Sequence, residues 1–561
     1  MFLDPAIGSN FFDRQDILDL LKKRVNSLRY GYRQNIAIIG PPYYGKTSII
    51  FRFINDIQFK DVVPIYIDVK PQGFLNFAEK FISALLFQYL RVIEYKIEDA
   101  KELIPIANDR MPKTTKAIKE IEALIKSDDV SNAYTALFEL PAIAYAETNL
   151  RPIIIMDEFH RIEDFGIEDA FSTLGKYIMF QKDTMYIVAS SYTNLAKKIL
   201  SEKLSLLFGN FEIYELGTFD VKTAFDFIDF KLREKKLPKE LNSFLVAFTD
   251  GHPFYLDCIL LKLKEYLNSA SQDGHIEVMT KTFAELLFDS KGILNQHFAI
   301  SISDLEKIDQ RYASVLLSIS NGNRRAQSIC ASLHLKPNEL RPILQELVNF
   351  GWALKYGVFY VIRDKVFEFW LKNVHQSKEC RLDVYYESKI SRFKVELKNY
   401  IEEFLNVSKQ NHIQTLVELL SSFNRELILL DKRYFVFPSF KRSFVHDADV
   451  RGTSYLVLSS DKCEWAFLIS LQPLTDDRVT DFLKYCRKHK RTLKRKIIIS
   501  PCEMDANTKL LAKEAKAWIW TLRELNELLD IAGKQRLILP DLGKAGSVKT
   551  ELFDVHHLES A

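Results

Sequence analysis

The stretch Gly40-Pro41-Pro42-Tyr43-Tyr44-Gly45-Lys46-Thr47-Ser48 constrains this chain more than any other, because it is a complete phosphate-binding loop pattern. It follows the apolar run Ile36-Ala37-Ile38-Ile39, which reads as a buried parallel strand. It precedes Ile49-Ile50-Phe51-Arg52-Phe53-Ile54, which reads as a helix with its apolar side inward. A strand, a tight loop and a helix in that order separate this pattern from an ordinary glycine-rich turn. Gly40 and Gly45 let the backbone curl so that successive N–H groups face phosphate oxygens beside a helix N-terminus. Lys46 would reach the β- and γ-phosphates and the Thr47 hydroxyl would ligate Mg²⁺. Residues 40–48 are thus the expected binding segment for ATP with Mg²⁺.

A chain of 561 residues should divide into several domains, roughly three or four. Hydrophobic residues at 47% and charged residues at 27% describe a globular chain and exclude a disordered one. The net charge of +3 confines any nucleic-acid contact to a local patch. Cys258, Cys330, Cys380, Cys463, Cys486 and Cys502 form no CxxC pair and read as free thiols rather than zinc ligands. No apolar run is long enough to cross a bilayer, and the first residues, MFLDPAIGSNFF, lack a basic flank and a cleavage site. The expected compartment is the cytoplasm, with no membrane partner.

The loop needs a partner acid. Arg151-Pro152-Ile153-Ile154-Ile155-Met156 reads as a second apolar strand, ending in Asp157-Glu158-Phe159-His160. Asp157 would hold the Mg²⁺ shell and Glu158 would polarise the attacking water; the bland alternative is two acids that merely end a strand. Val62 to Val69 reads as a strand, Phe77 to Tyr95 as an amphipathic helix, and Glu98 to Asp129 as peripheral helices. Thr184 to Ser190 reads as a strand ending in Ser190-Ser191-Tyr192-Thr193-Asn194. Ser190 and Ser191, then Asn194, are candidates to sense the γ-phosphate or hold water, against a plain Ser/Thr turn. Phe211 to Leu216 reads as the last core strand. Alternating strands and helices imply an α/β fold with a parallel sheet and a ligand at the strands' carboxyl ends. Asp220 to Lys236 reads as a helix, and Leu241 to Tyr266 as two helices interrupted by Gly251-His252-Pro253-Phe254-Tyr255-Leu256.

With these motifs in this order, the first half of the chain resembles the archaeal-type ATPases of the STAND branch, relatives of AAA+ and Orc-like ATPases. The resemblance rests on Phe11 to Leu18, Gly40 to Thr47, Asp157-Glu158-Phe159, Ser190-Ser191 and Gly251 to Leu256. It implies that Phe12 and Arg14 lie beside the nucleotide and that Pro253, in a helical lid, touches its adenine–ribose side. Members often carry Gly-Arg before the final strand, where this chain has Gly209-Asn210. Asn210 lacks the arginine charge, so slow turnover is expected, or a finger from a second copy in a homo-oligomer.

Residues 305–374 read as a winged helix. Asp309 to Ser320, Arg325 to Ser332 and Asn338 to Phe350 are its helices, and a hairpin turns at Gly357. Lys336, Asn338, Arg341 and Gln345 face a major groove in one reading, with Arg324 and Arg325 on phosphates. In the other, the module packs on the nucleotide domain as a switch element. The family resemblance extends to an aromatic helix after this module, matched by Val366 to Leu371.

From about residue 390 to 535, helices (Ser391 to Phe404, Ile413 to Leu420) precede alternating strand-like and helical runs. That order resembles a restriction-endonuclease-like domain, which implies an acid on one strand and acid-x-Lys on the next. Asp447 and Asp449 are candidates for the first acid, but Ser470-Leu471-Gln472 stands where acid-x-Lys belongs, so an inactive nuclease is expected. Lys484, Arg487, Lys488, His489, Lys490, Arg491, Lys494, Arg495 and Lys496 read as one helix with a broad basic face. That face binds DNA through phosphates or is simply solvated.

The expected organisation is an ATPase core over 1–217, a helical lid over 218–300, a winged helix over 301–378, a C-terminal α/β domain over 379–540 and a disordered tail over 541–561. The reading favoured is a P-loop ATPase acting as a conformational switch that serves DNA or a protein partner. Its rivals are a non-hydrolysing scaffold stabilised by nucleotide and an ATP-gated nuclease.

Overall fold

The computed structural model describes residues 5–93, 103–204, 211–233, 235–269, 274–379, 386–409, 412–447, 453–470, 472–488, 492–500 and 504–538. Its chain forms two compact units. One holds 1–219, 252–258 and 342–353; the other holds 220–251, 259–341 and 354–561.

The first unit is built on five strands: β1 (Asn35–Ile39), β2 (Val62–Asp68), β3 (Arg151–Asp157), β4 (Met185–Ser190) and β5 (Phe211–Glu215). They lie in the order β2-β3-β4-β1-β5, all parallel. The Ile/Val runs of β1, β3 and β4 are buried on both faces, as strands covered by helices must be. The acid-bearing β3 is not the neighbour of β1. Between them lies β4, so Ser190 ends the strand between the phosphate loop and the acid pair.

Residues alternate between two cores. Val63, Ile65 and Ile67 enter one with the Gly73–Val92 helix, whose Phe74, Phe77, Phe81, Leu85 and Tyr89 recur at helical spacing. Each such Phe contributes roughly 1.5–3 kcal/mol by burial. Val62, Ile153 and Ile155 enter the other with the Gln15–Arg29 and Lys46–Asp56 helices. The helices expected to be peripheral are not so. The Pro112–Lys126 helix buries Ile118 and Ile121, and the next turns bury Tyr134, Leu137 and Phe138 in the first core. Their charged residues occupy only the outer faces.

In the second unit, the Val221–Leu232, Lys239–Thr249, Ile293–Ile308, Arg311–Ser320 and Ala326–Leu333 helices lead to the hairpin β6 (Ala353–Tyr356) and β7 (Phe359–Ile362). A short hairpin, β8 (Leu427–Leu430) and β9 (Arg433–Val436), precedes a five-stranded sheet. That sheet runs β10 (Arg442–Asp447), β11 (Thr453–Ser459), β12 (Glu464–Ser470), β13 (Leu493–Ile499) and β14 (Trp518–Trp520), in chain order. The first three strands are antiparallel and the last three parallel, with the Asp476–Lys488 and Ala506–Glu514 helices as crossovers.

Two expectations change here. The basic run is not one helix, because the helix ends at Lys488 and β13 begins at Leu493. Lys484, paired with Asp481 at 3.0 Å, and Arg487 and Lys488 are exposed on the helix. Lys494 is exposed on the strand, whereas Arg495 lies 4.3 Å over the Trp518 ring and Lys496 donates to the Ala515 carbonyl at 2.6 Å. His489, Lys490 and Arg491 lie outside the described residues. Among the described residues, the exposed basic side chains of the run are Lys484, Arg487, Lys488 and Lys494.

The second change concerns Arg324 and Arg325. Phe359 and Val361 share a core with Leu416, Phe435, Trp465 and Trp520, so the hairpin is packed into the C-terminal domain. Gly357 turns it at φ +69°, with the Leu427 carbonyl only 2.2 Å from where a Cβ would stand. Arg324 pairs with Glu368 at 3.1 Å and Arg325 with Glu426. Arg324 serves a largely buried ion pair, whereas Arg325, with its side chain 51% exposed, is tied to Glu426 at the surface.

Candidate nucleotide site

The phosphate loop is shaped by its glycines. At Gly40 a Cβ would come within 2.5 Å of the Leu216 carbonyl oxygen, so only glycine lets β5 close beside the loop. Gly45 has φ +96° at the start of the Lys46–Asp56 helix, and Tyr43 has φ 63° at the loop's tip. Pro41 and Pro42 stiffen the turn without needing donors of their own. The Ser48 hydroxyl accepts from the Ala6 N–H at 2.9 Å, which fastens the N-terminal segment to this helix.

Lys46 is 4% exposed, and its ammonium donates to the Gly40 and Pro41 carbonyls at 2.8 and 2.9 Å. Burial lowers its pKa, opposed by Glu158 and Asp157. The lysine is thus folded onto its own loop, ready to exchange carbonyl acceptors for phosphate oxygens. Asp157 is 4% exposed, and burial raises its pKa against the hydrogen bond from Thr47. The Thr47 hydroxyl donates to Asp157 Oδ2 at 2.7 Å. Tyr66 OH donates to the same oxygen at 3.2 Å, and the Glu158 N–H to Oδ1 at 3.0 Å. A hydroxyl and a buried carboxylate side by side make a hard-oxygen pair suited to Mg²⁺.

Glu158 sits in the left-handed region at φ 53° and ψ 41°, which swings its side chain off the strand axis. Its Oε2 accepts from the Ser191 N–H at 2.9 Å, and its Oε1 from the Ser191 hydroxyl. His160 Nδ1 is 3.4 Å from Glu158 Oε2 and 2.9 Å from Ser190 Oγ. Ser190 Oγ in turn accepts from the Tyr192 N–H at 3.1 Å. Burial pushes the His160 pKa down to about 4, so the ring is neutral at ordinary pH. Lys46, Thr47, Asp157, Glu158, Ser190 and Ser191 are therefore brought to one end of the sheet.

Asn194 is not part of this cluster, since its amide donates to the Val348 and Asn349 carbonyls at 3.4 and 3.3 Å. Arg14 lies 4.7 Å over the Phe219 ring and donates to the Gly217 carbonyl at 2.7 Å; Phe12 meets Phe219 edge-on. Pro253 opens the Pro253–Ser269 helix. Its neighbours reach the loop, with Phe254 stacked on Tyr43 at 5.0 Å and His252 edge-on to Tyr44 at 4.7 Å. Asn210 lies outside the described residues. No motif in the sequence marks Tyr66 or His160. The alternation of β2, with Val63, Ile65 and Ile67 turned to one core, puts Tyr66 on the loop's face.

Residues 11–259 match the family model described as an ATPase domain predominantly from Archaea. This stretch is an archaeal-type P-loop ATPase domain. The chain is accordingly an ATP-hydrolysing enzyme with an α/β nucleotide-binding fold. It is 23% identical over 283 residues to an uncharacterised ATP-binding protein of Methanocaldococcus jannaschii, across 46% of this chain and 73% of that one. Among solved structures, a Walker-type ATPase of Pyrococcus abyssi is 18% identical with a TM-score of 0.45, covering 66% of this chain and 99% of its own. The ORC2 protein of Aeropyrum pernix is 12% identical with a TM-score of 0.42, over 66% and 97%. No helix among the described residues is long and apolar enough to cross a membrane.

At the C-terminal sheet, Asp447 pairs with Ser454 in the ladder, while Asp449 and Leu471 lie outside the described residues. Ser470 is buried, faces Thr453 and donates to the Gln472 carbonyl at 3.0 Å. No group of three or more acidic, His or Cys side chains suited to a metal occurs among the described residues. Cys258, Cys330, Cys463 and Cys486 are free thiols; Cys380 and Cys502 lie outside the described residues.

Proposed function

We propose that this ATPase is a STAND-type switch, in which ATP with Mg²⁺ at the loop controls a C-terminal module that engages DNA or a protein partner. Lys46 and the loop N–H groups bind the phosphates, Thr47 and Asp157 hold Mg²⁺, and Glu158 polarises the attacking water. Held by Thr47 and Asp157, Mg²⁺ would supply charge neutralisation to the phosphates. Ser190 and Ser191 report the γ-phosphate, because Ser191 already holds both oxygens of the Glu158 carboxylate. Phe12, Arg14 and Pro253 keep the nucleotide-flanking roles that the family resemblance implies.

One observation carries the switch reading. Phe254 stacks on the loop residue Tyr43, and only four residues earlier Asp250 is ion-paired with Arg536 of the C-terminal segment. Movement of the loop tip on nucleotide binding therefore has a route to that ion pair, first through the Tyr43–Phe254 stack and then along the backbone of 250–254. The helices and hairpin from 311 to 362 support a winged helix, and the β10–β14 sheet with its crossovers supports a restriction-endonuclease-like domain. Ser470 and Gln472 in the acid-x-Lys positions supply neither the second carboxylate nor the lysine, so that domain acts as a docking module.

Steady-state phosphate release by the full chain, with and without duplex DNA, tests the reading. Slow but measurable hydrolysis that DNA alters is expected, with no cleavage of the DNA in Mg²⁺ or Mn²⁺. Binding should weaken steeply with salt, and changing Arg487 and Lys488 to Glu should remove most of it. Absence of hydrolysis under all conditions would favour the scaffold. DNA binding unaffected by the charge reversal would move the contact elsewhere, with the exposed Lys336, Asn338, Arg341 and Gln345 next in line.

A further inference from the structure

Tyr66 is placed to do more than fill space. The β2–β3 register pairs Tyr66 with Ile155 and Asp68 with Asp157, so Tyr66 stands diagonal to Asp157 on the face that carries the Lys46–Asp56 helix. Its ring is fixed edge-on by Phe51 of that helix, with centroids 4.9 Å apart at 66°. Its hydroxyl donates to Asp157 Oδ2 at 3.2 Å. That oxygen also accepts from Thr47, while Oδ1 is held by the Glu158 N–H.

A Thr47 hydroxyl that turns its lone pair to a cation remains beside Asp157 but loses freedom to orient it. The backbone N–H fixes one carboxylate oxygen; the rotation that aims the other then depends on a donor that is not itself a metal ligand. Tyr66 is that donor. We propose that Tyr66 is the positioning residue for the Mg²⁺-holding carboxylate, aiming Asp157 Oδ2 at the space beside the Thr47 hydroxyl. The inference rests on the reading of Thr47 and Asp157 as the Mg²⁺ pair. Loss of such an outer partner typically weakens metal affinity by about 10–100-fold.

The test is Tyr66→Phe in the full chain, which keeps the ring against Phe51 and removes only the donor. Affinity for a fluorescent ATP analogue is measured in EDTA and across a Mg²⁺ series, beside the Mg²⁺ dependence of phosphate release. The expected result is unchanged affinity in EDTA and a Mg²⁺ half-saturation raised by about tenfold or more. Recovery of most of the turnover at high Mg²⁺ would accompany it. Unchanged Mg²⁺ half-saturation would overturn the proposal, as would equal weakening with and without metal, which marks a merely structural tyrosine. If the wild-type protein binds ATP identically in EDTA and Mg²⁺, the metal reading itself falls, whatever the variant does.

Discussion

Replacing Glu158 by Gln should lower ATP turnover by roughly a hundredfold while leaving ATP binding intact. Both Glu158 oxygens contact Ser191, one through its N–H at 2.9 Å and one through its hydroxyl. A glutamine can accept from that N–H with its carbonyl and donate to the hydroxyl with its amide, so the side chain keeps its place. What disappears is the negative charge that draws a proton from water as the new bond forms. Phosphate contacts from the loop and Lys46 are untouched, so a fluorescent ATP titration should give an affinity close to that of the wild type. Normal hydrolysis by the variant would mean that another group polarises the water. Loss of binding together with turnover would mean that Glu158 shapes the loop.

Replacing Arg536 by Met should cost about 3 kcal/mol of stability, toward the lower end of what breaking a buried ion pair costs. Arg536 meets Asp530 through two nitrogens at 2.7 and 3.1 Å and also pairs with Asp250. Asp530 is 5% exposed and takes a second cation, Lys365, at 3.0 Å; Lys365 in turn reaches Glu368 at 2.9 Å. Burial alone would raise the Asp530 pKa, yet Lys365 and Arg536 together hold it below the ordinary aspartate range. Without Arg536, the buried Asp530 carboxylate is left to Lys365, which it shares with Glu368. Asp250 softens the penalty, since its side chain is 46% exposed at the network's rim. Because the folded Asp530 pKa is depressed, its contribution is full above the unfolded value and fades as pH falls through the folded one. Urea unfolding of the full chain measures the effect. The exposed pair Arg392–Glu396 is the control, where Arg392→Ala should cost at most about 0.5 kcal/mol. Equal effects at the two sites would show that the Arg536 network contributes only as a surface pair does.

The nucleotide site was legible because its signals are local. A strand of Ile and Ala, two glycines with separate tasks and Asp157-Glu158 after a second apolar run each declare themselves within a few residues. Strand order was not local. Nothing in Ser190 alone says that β4 lies between β1 and β3, and nothing in Tyr66 says that it stands diagonal to Asp157. Both depend on register, which the sequence sets only through long-range pairing. The Pro112–Lys126 helix misleads in another way, since its lysines and glutamates dominate the composition while Ile118 and Ile121 are wholly buried. The basic run misleads because Lys and Arg suit a helix end and an edge-exposed strand start equally. Only Ile497-Ile498-Ile499 announces β13, four residues after it begins. β10 is fully exposed over 442–446 and carries no buried alternation that would mark it.

The most direct test of the switch is hydrogen exchange across the full chain of Glu158→Gln, with and without ATP and Mg²⁺. The variant binds without turning over, so one state is observed at a time. Exchange reports local opening, and a coupled segment must change its opening free energy when the other site is filled. Protection is expected to change at three places together: the phosphate loop, the stretch 239–254 around Gly251, and the Leu522–Ala532 helix that carries Asp530. A change confined to the loop and the sheet ends around it, with 239–254 and 522–532 unaltered, would contradict the switch and leave an ATPase whose C-terminal half does not sense its nucleotide.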